Sequence, residues 1–406
     1  MTAQVQTLRA DVRIIVLVSL AHGLSHFFQI ATAVVFPLIK DDLGVSYTAL
    51  GGTVAVYYVV SAVCQTLSGF AVDRFGAQRV LFAGLGLATA GALLAGLAQS
   101  YAMLIAAAVV GGLGNSVFHP CDFSILNARV NKERLGYAFS WHGIAGYLGY
   151  AVAPAYSIAM AASFGWRGAL LGAGAIGAAV VAFLLVHREA VYVPAADGHR
   201  KKQSQAGGGL REDLRVLLST PVLMCFAYFI FASVAFVAMQ NFGIATLVTL
   251  YDITPGVASA GLTAYLLGGA FGIFVGGFVA VHYPRHDVVA IAGVAIAAVF
   301  MLVLAAAWMP VSLLPLFLAF VGFFSAGTNP SRDLIVRGST PPGSTGKVYG
   351  FVYSGLDVGS MMLPVFFGWL LDHGRPAAVL YTVVVSLVLT IGTVVQLHRP
   401  RQAQSL

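Results

Sequence analysis

The sequence predicts an all-α membrane protein of twelve transmembrane helices, arranged as two pseudo-symmetric six-helix bundles. Three observations carry this. Only 9% of the 406 residues are charged and 59% are hydrophobic, where soluble domains carry roughly 25% charge. Apolar runs long enough to cross a bilayer recur along the whole chain. The two halves also share landmarks at one offset: Gly136 with Gly346, Gly149 with Gly359, Pro154 with Pro364 and Pro120 with Pro330, each pair 210 apart (330 − 120 = 210). A repeat of that length marks a duplicated unit, not a solenoid of short modules.

The expected spans lie near 14–38, 47–70, 79–98, 102–126, 137–160 and 166–186, then 221–247, 257–281, 287–308, 312–336, 347–371 and 376–397. Six precede and six follow a polar stretch, giving an N-terminal bundle over 1–187, a linker over 188–219 and a C-terminal bundle over 220–406. The first run reads as a membrane helix, not a secretion signal, because its apolar part is too long and it ends at Lys40-Asp41-Asp42. The linker carries Arg200-Lys201-Lys202 and Gly207-Gly208-Gly209, a flexible, basic composition.

Basic residues near helix ends stay cytoplasmic. With both termini inside, the outer loops hold only Lys40, Arg167 and Arg375, leaving 22 − 3 = 19 Lys and Arg for the inner side. The formal charge of +7 is then membrane topology, and nucleic acid is not an expected partner. The expected location is the cytoplasmic membrane. Cys64, Cys121 and Cys225 fall in three different spans without metal spacing and read as small core residues. No cofactor is expected, and the absence of a G-x-x-x-x-G-K-[ST] run argues against ATP hydrolysis.

Polar residues inside spans are the candidates for function, since lipid offers them no hydrogen bonds. The first helix places Ser19, His22, His26 and Gln29 on one face at spacings of 3, 4 and 3. Three readings stay open for its histidines: bonds to neighbouring helices, a solute or proton site, or a metal. Two histidines four apart with no third ligand in view do not assign a metal site. The fourth helix puts Asn115, His119 and Asp122 on one face, and the tenth puts Ser325, Asn329 and Arg332 at the corresponding places. Asp122 and Arg332, opposite in sign at equivalent positions, are expected either to pair as a gate or to mark the interfacial ends of their helices. Gln240 and Asn241 lie in the seventh helix. Asp357, about 15 Å along the eleventh, sits near mid-bilayer, where an ionised carboxylate is costly and a proton is readily held.

The run Gly69-Phe70-Ala71-Val72-Asp73-Arg74-Phe75-Gly76-Ala77-Gln78-Arg79 resembles the signature joining helices two and three of the major facilitator superfamily. In the second half the matching loop carries Val281 in place of Asp73. Helix five, from His142 through Gly143, Gly146 and Gly149 to Pro154, loosely resembles the family's antiporter motif. His22 and the run Gly114-Asn115-Ser116-Val117-Phe118-His119-Pro120 resemble the fosmidomycin-resistance branch of exporters. That branch tends to carry acids where this chain has His26 and Cys121. The resemblance implies a proton-linked carrier of small molecules, working by alternating access.

The expectation is therefore a non-enzymatic secondary transporter, acting as a monomer in the bilayer and exporting a small organic anion against protons. His22, His26, Gln29, Asn115, His119, Gln240 and Asn329 are the expected solute ligands, Asp357 and Asp122 the proton carriers, and Asp73, Arg74, Asp122 and Arg332 the gating residues. Proton-coupled uptake of a small carboxylate, export of a metal or metal chelate, and a receptor that does not transport are the alternatives.

Overall fold

The computed structural model describes residues 8–131, 134–193, 210–341 and 345–403. Those residues are helical throughout, with no strand among them. Among the described residues, eleven stretches are long and apolar enough to cross a membrane. One of them, Tyr137–Val186, has 50 residues, about 75 Å of helix against a hydrocarbon core of about 30 Å. It breaks at Gly165, whose φ of 69° and ψ of 171° leave the helical region. Such a φ suits a residue without a Cβ. The stretch therefore holds two crossings, which brings the eleven to the expected twelve.

Two compact units divide the chain between Lys202 and Gln203, and residues Ser46–Ala55 group with the second. Unit 1 is built from α1 (Leu8–Val34), α2 (Phe36–Leu43), most of α3 (Tyr47–Phe75), α4 (Ala77–Gly96), α5 (Tyr101–Asn115), α6 (Phe118–Arg129) and α7 (Leu135–Val186). Unit 2 is built from α8 (Leu210–Leu217), α9 (Thr220–Tyr251), α10 (Pro255–His282), α11 (His286–Ala305), α12 (Leu314–Gly327), α13 (Asn329–Gly338), α14 (Thr345–Met362), α15 (Pro364–Asp372) and α16 (Pro376–Ala403). The start of α3 is held inside unit 2, where Asp372 accepts bonds from the backbone N–H groups of Tyr47 and Thr48, both at 2.7 Å. The Arg200-Lys201-Lys202 and triple-glycine segments of the expected linker lie outside the described residues.

Prolines set where the spans break. A proline lacks the N–H donor, and its ring collides with the carbonyl four residues earlier. Pro120 acts on Ser116, and α5 ends at Asn115; Pro330 acts on Ala326, and α12 ends at Gly327. The fourth and tenth spans are thus each two short helices meeting at a corner, and the corner carries the expected polar residues. Apolar burial supplies the rest of the framework: Phe36, Leu81, Leu85, Phe118, Ile125 and Leu126 are fully buried in unit 1, and Phe229, Phe242 and Phe367 in unit 2.

Candidate functional site

The site in unit 1 begins with glycine. A Cβ on Gly149 would overlap the backbone of Gly23, so α7 and α1 meet backbone to backbone there. One turn earlier, a Cβ on Gly146 would stand 2.8 Å from His26 Cε1 and 3.1 Å from His22 Nε2. The missing side chain is what leaves room for two imidazoles between the helices.

Four histidines converge in that space. The rings of His22 and His142 stack with centroids 3.6 Å apart and planes at 24°, while His26 lies 4.3 Å and His119 5.3 Å from His22. The fully buried Asp122 sits against them. Its Oδ2 is 3.0 Å from His142 Nε2 and 3.1 Å from His22 Nδ1. A carboxylate removed from water needs partners of this kind. The supply is incomplete: among the described residues, Asp122 Oδ1, His22 Nδ1 and His26 Nδ1 are buried without a hydrogen bond.

Beside the histidines runs a chain of hydrogen bonds through four helices. Tyr150 O–H on α7 donates to Gln29 Oε1 on α1. Gln29 Nε2 donates to Asn115 Oδ1 on α5 at 2.8 Å, and Asn115 Nδ2 donates to Ser61 Oγ on α3 at 2.8 Å. Each amide nitrogen carries two hydrogens and spends one here, so each keeps a donor. Tyr150 also packs its ring 4.3 Å from His26, joining chain and cluster.

Unit 2 holds its polar groups apart. Arg332 Nε donates to Asp333 Oδ1 at 3.0 Å and Nη1 to Asn329 Oδ1 at 3.1 Å, with the guanidinium 4.4 Å above the Phe229 ring. Among the described residues, Gln240 is buried with neither end of its amide bonded, and Asn241 keeps an unbonded Oδ1. Asp357 on α14 is half-buried and has no hydrogen bond or ion pair among the described residues.

Comparison with known proteins decides the family. The sequence model of the Major Facilitator Superfamily matches residues 18–251 and 231–405. The chain belongs to the major facilitator superfamily. Its family and fold are those of transporters, and it is a multi-pass membrane protein. The fosmidomycin resistance protein of Escherichia coli is 24% identical over 372 residues, covering 88% of this chain and 86% of that protein. A probable L-galactonate transporter of the same organism is 25% identical over 139 residues, a match spanning 34% of this chain and 31% of that one. In fold, the crystal structure of a bacterial homologue of the human lysosomal transporter Spinster superposes with a TM-score of 0.77 at 14% identity, over 97% of this chain and 98% of the other.

In unit 1, His22, His26, Gln29, Asn115, His119 and Asp122 are brought together; in unit 2, Arg332 bonds Asn329, while the side chains of Gln240 and Asp357 have no bonded partner among the described residues. Asp122 and Arg332, expected from the sequence to pair, each have partners inside their own unit. Arg74 lies over the Phe75 ring at 5.3 Å, and the side chain of Asp73 is outside the described residues. Sequence reasoning missed His142, Tyr150 and Ser61 as members of the site. His142, Gly146 and Tyr150 are four apart, a helical stripe that periodicity could have raised.

Proposed function

We propose that this protein is a proton-coupled exporter of a small organic anion, working by alternating access in the cytoplasmic membrane with both termini inside. The observation that carries the reading is the polar network of unit 1, where four histidines, an acid and two amides lie within membrane spans around a buried core of His22, His142 and Asp122. Polar groups at that depth are expensive, and in membrane proteins they mark solute or ion pathways. The spare N–H groups of Gln29 and Asn115, with His26 and His119, are the donors an anion needs. Asp357 carries the proton, being a half-buried carboxylate without a partner among the described residues. Asp122 orients two of the imidazoles, and Arg332 with Asn329 contributes to opening and closing the inner end of its helix.

The relatives support the two parts of the reading separately. One is named for resistance to fosmidomycin, an outcome that expulsion from the cell produces. The other is named as a probable transporter of L-galactonate, a small organic anion. Everted membrane vesicles with a preformed proton gradient test the direction and the coupling. Adding small organic anions to the bath should release protons from vesicles holding the wild type and not from vesicles holding Asp357→Asn. Proton-driven accumulation of the same anion by intact cells would instead establish uptake and overturn the export reading.

A further inference from the structure

The residues where α5 gives way to α6 have a second chemical property beside the donors proposed for an anion, with which they share His119. One ligand nitrogen from each of His22, His119 and His142 lies within 4.8 Å of the other two, on three different helices. Asp122 Oδ2 stands 3.1 Å from His22 Nδ1 and 3.0 Å from His142 Nε2. Ligands on a tetrahedral ion with bonds of about 2.0–2.1 Å are roughly 3.3 Å apart. The three histidine nitrogens, at most 4.8 Å apart, exceed that spacing by no more than about 1.5 Å.

We infer that His22, His119 and His142 form a binding site for a divalent transition-metal ion of the zinc class, with the Asp122 carboxylate beside two of the imidazoles and the fourth coordination position left to solvent. Three further features favour it. The His22 Nδ1 and the Asp122 oxygen are close, yet His22 Nδ1 makes no hydrogen bond among the described residues. A carboxylate beside a ligating imidazole orients its ring. The same carboxylate offsets part of a dication's charge. His22, His142 and Asp122 are buried while His119 is exposed, which leaves an approach to the site on one side. Three imidazoles suit zinc, cobalt or nickel better than the hard ions calcium and magnesium, which take all-oxygen shells. The sequence leaves this set hidden because its second and third ligands come from α6 and α7, far along the chain from His22.

The site requires a folded unit 1 and no transport, so it stands or falls independently of the exporter reading. The test titrates zinc into the purified full-length protein in detergent by calorimetry, with cobalt as a spectroscopic probe. The expected result is one saturable zinc per chain and, with cobalt, the intense visible absorption of a four-coordinate ion. His119→Gln and His142→Gln should each weaken zinc binding at least tenfold. His282→Gln, in the last turn of α10, should leave it unchanged. His119 is exposed, so its variant carries the test even where His142→Gln fails to fold, as a melting curve would reveal. Absence of saturable zinc binding by the wild type, or equal affinity in wild type and His119→Gln, overturns the site.

Discussion

In unit 1, α7 brings His142 against His22 and Asp122. In unit 2 the corresponding helix, α14, brings Val352 (142 + 210 = 352) into an aliphatic and aromatic cluster with Val222, Phe229 and Val348. Asp122 has Arg332 as its counterpart (122 + 210 = 332), resting on the Phe229 ring and satisfied by its own neighbours Asp333 and Asn329. Packing has been kept in both copies: Gly149 meets the Gly23 backbone and Gly359 the Ile230 backbone, and Pro120 and Pro330 each break a span. The contacts between helices recur in both copies, while one copy fills the space with polar groups and the other with aliphatic and aromatic ones.

Exchanging the two fillings should break this contrast most severely. His142→Val strips a buried carboxylate of its hydrogen-bonded partner, a change worth about 3–5 kcal/mol at a buried pair. It should reduce transport in reconstituted vesicles to the level of protein-free ones. Val352→His puts an imidazole among aliphatic side chains at a cost of about 1–3 kcal/mol in stability, read as a lower melting temperature, and should leave transport by the folded fraction intact. Equal transport defects in the two variants would mean that position, and not chemistry, decides.

The shared packing predicts the next effect. Gly149→Ala and Gly359→Ala each force a methyl group into a neighbouring helix backbone, and each should lower stability by about 1–3 kcal/mol. Thermal melts of both would sharpen the comparison, because a loss in only one would show that the closeness of the helices is not common to the copies. Smaller still is Tyr150→Phe, which removes the donor to Gln29 and should cost about 1 kcal/mol. Asp42→Asn lies at the bottom of the scale. The Asp42 and Arg167 side chains are 44% and 37% exposed, and breaking such an exposed pair should change stability by less than about 0.5 kcal/mol.

Much of the framework was legible in the sequence because the signals are strong and local. Twelve apolar runs, the 210-residue offset and the prolines at 120 and 330 give the spans, the duplication and the corners. The stripe of His22, His26 and Gln29 could be placed on one face by helical spacing alone. What converges on that face could not, since His142 and Tyr150 reach it only through the glycine contact of α7 with α1. Asp122 and Arg332 illustrate the limit from the other side: their spacing and opposite charge stand in the sequence, whereas the partners each has in its own unit, His142 and Asp333, are not something pattern reading weighs.

The most direct test of the account is thermal melting of the purified full-length protein against a panel of small carboxylates and phosphonates, in wild type, His26→Ala and Val352→Ala. A ligand that binds only the folded state at a hundred times its Kd adds about 2.7 kcal/mol, a readily measured shift. The account predicts an anion that stabilises the wild type and Val352→Ala but not His26→Ala. Equal stabilisation of all three would place the solute away from the histidines of unit 1 and contradict it.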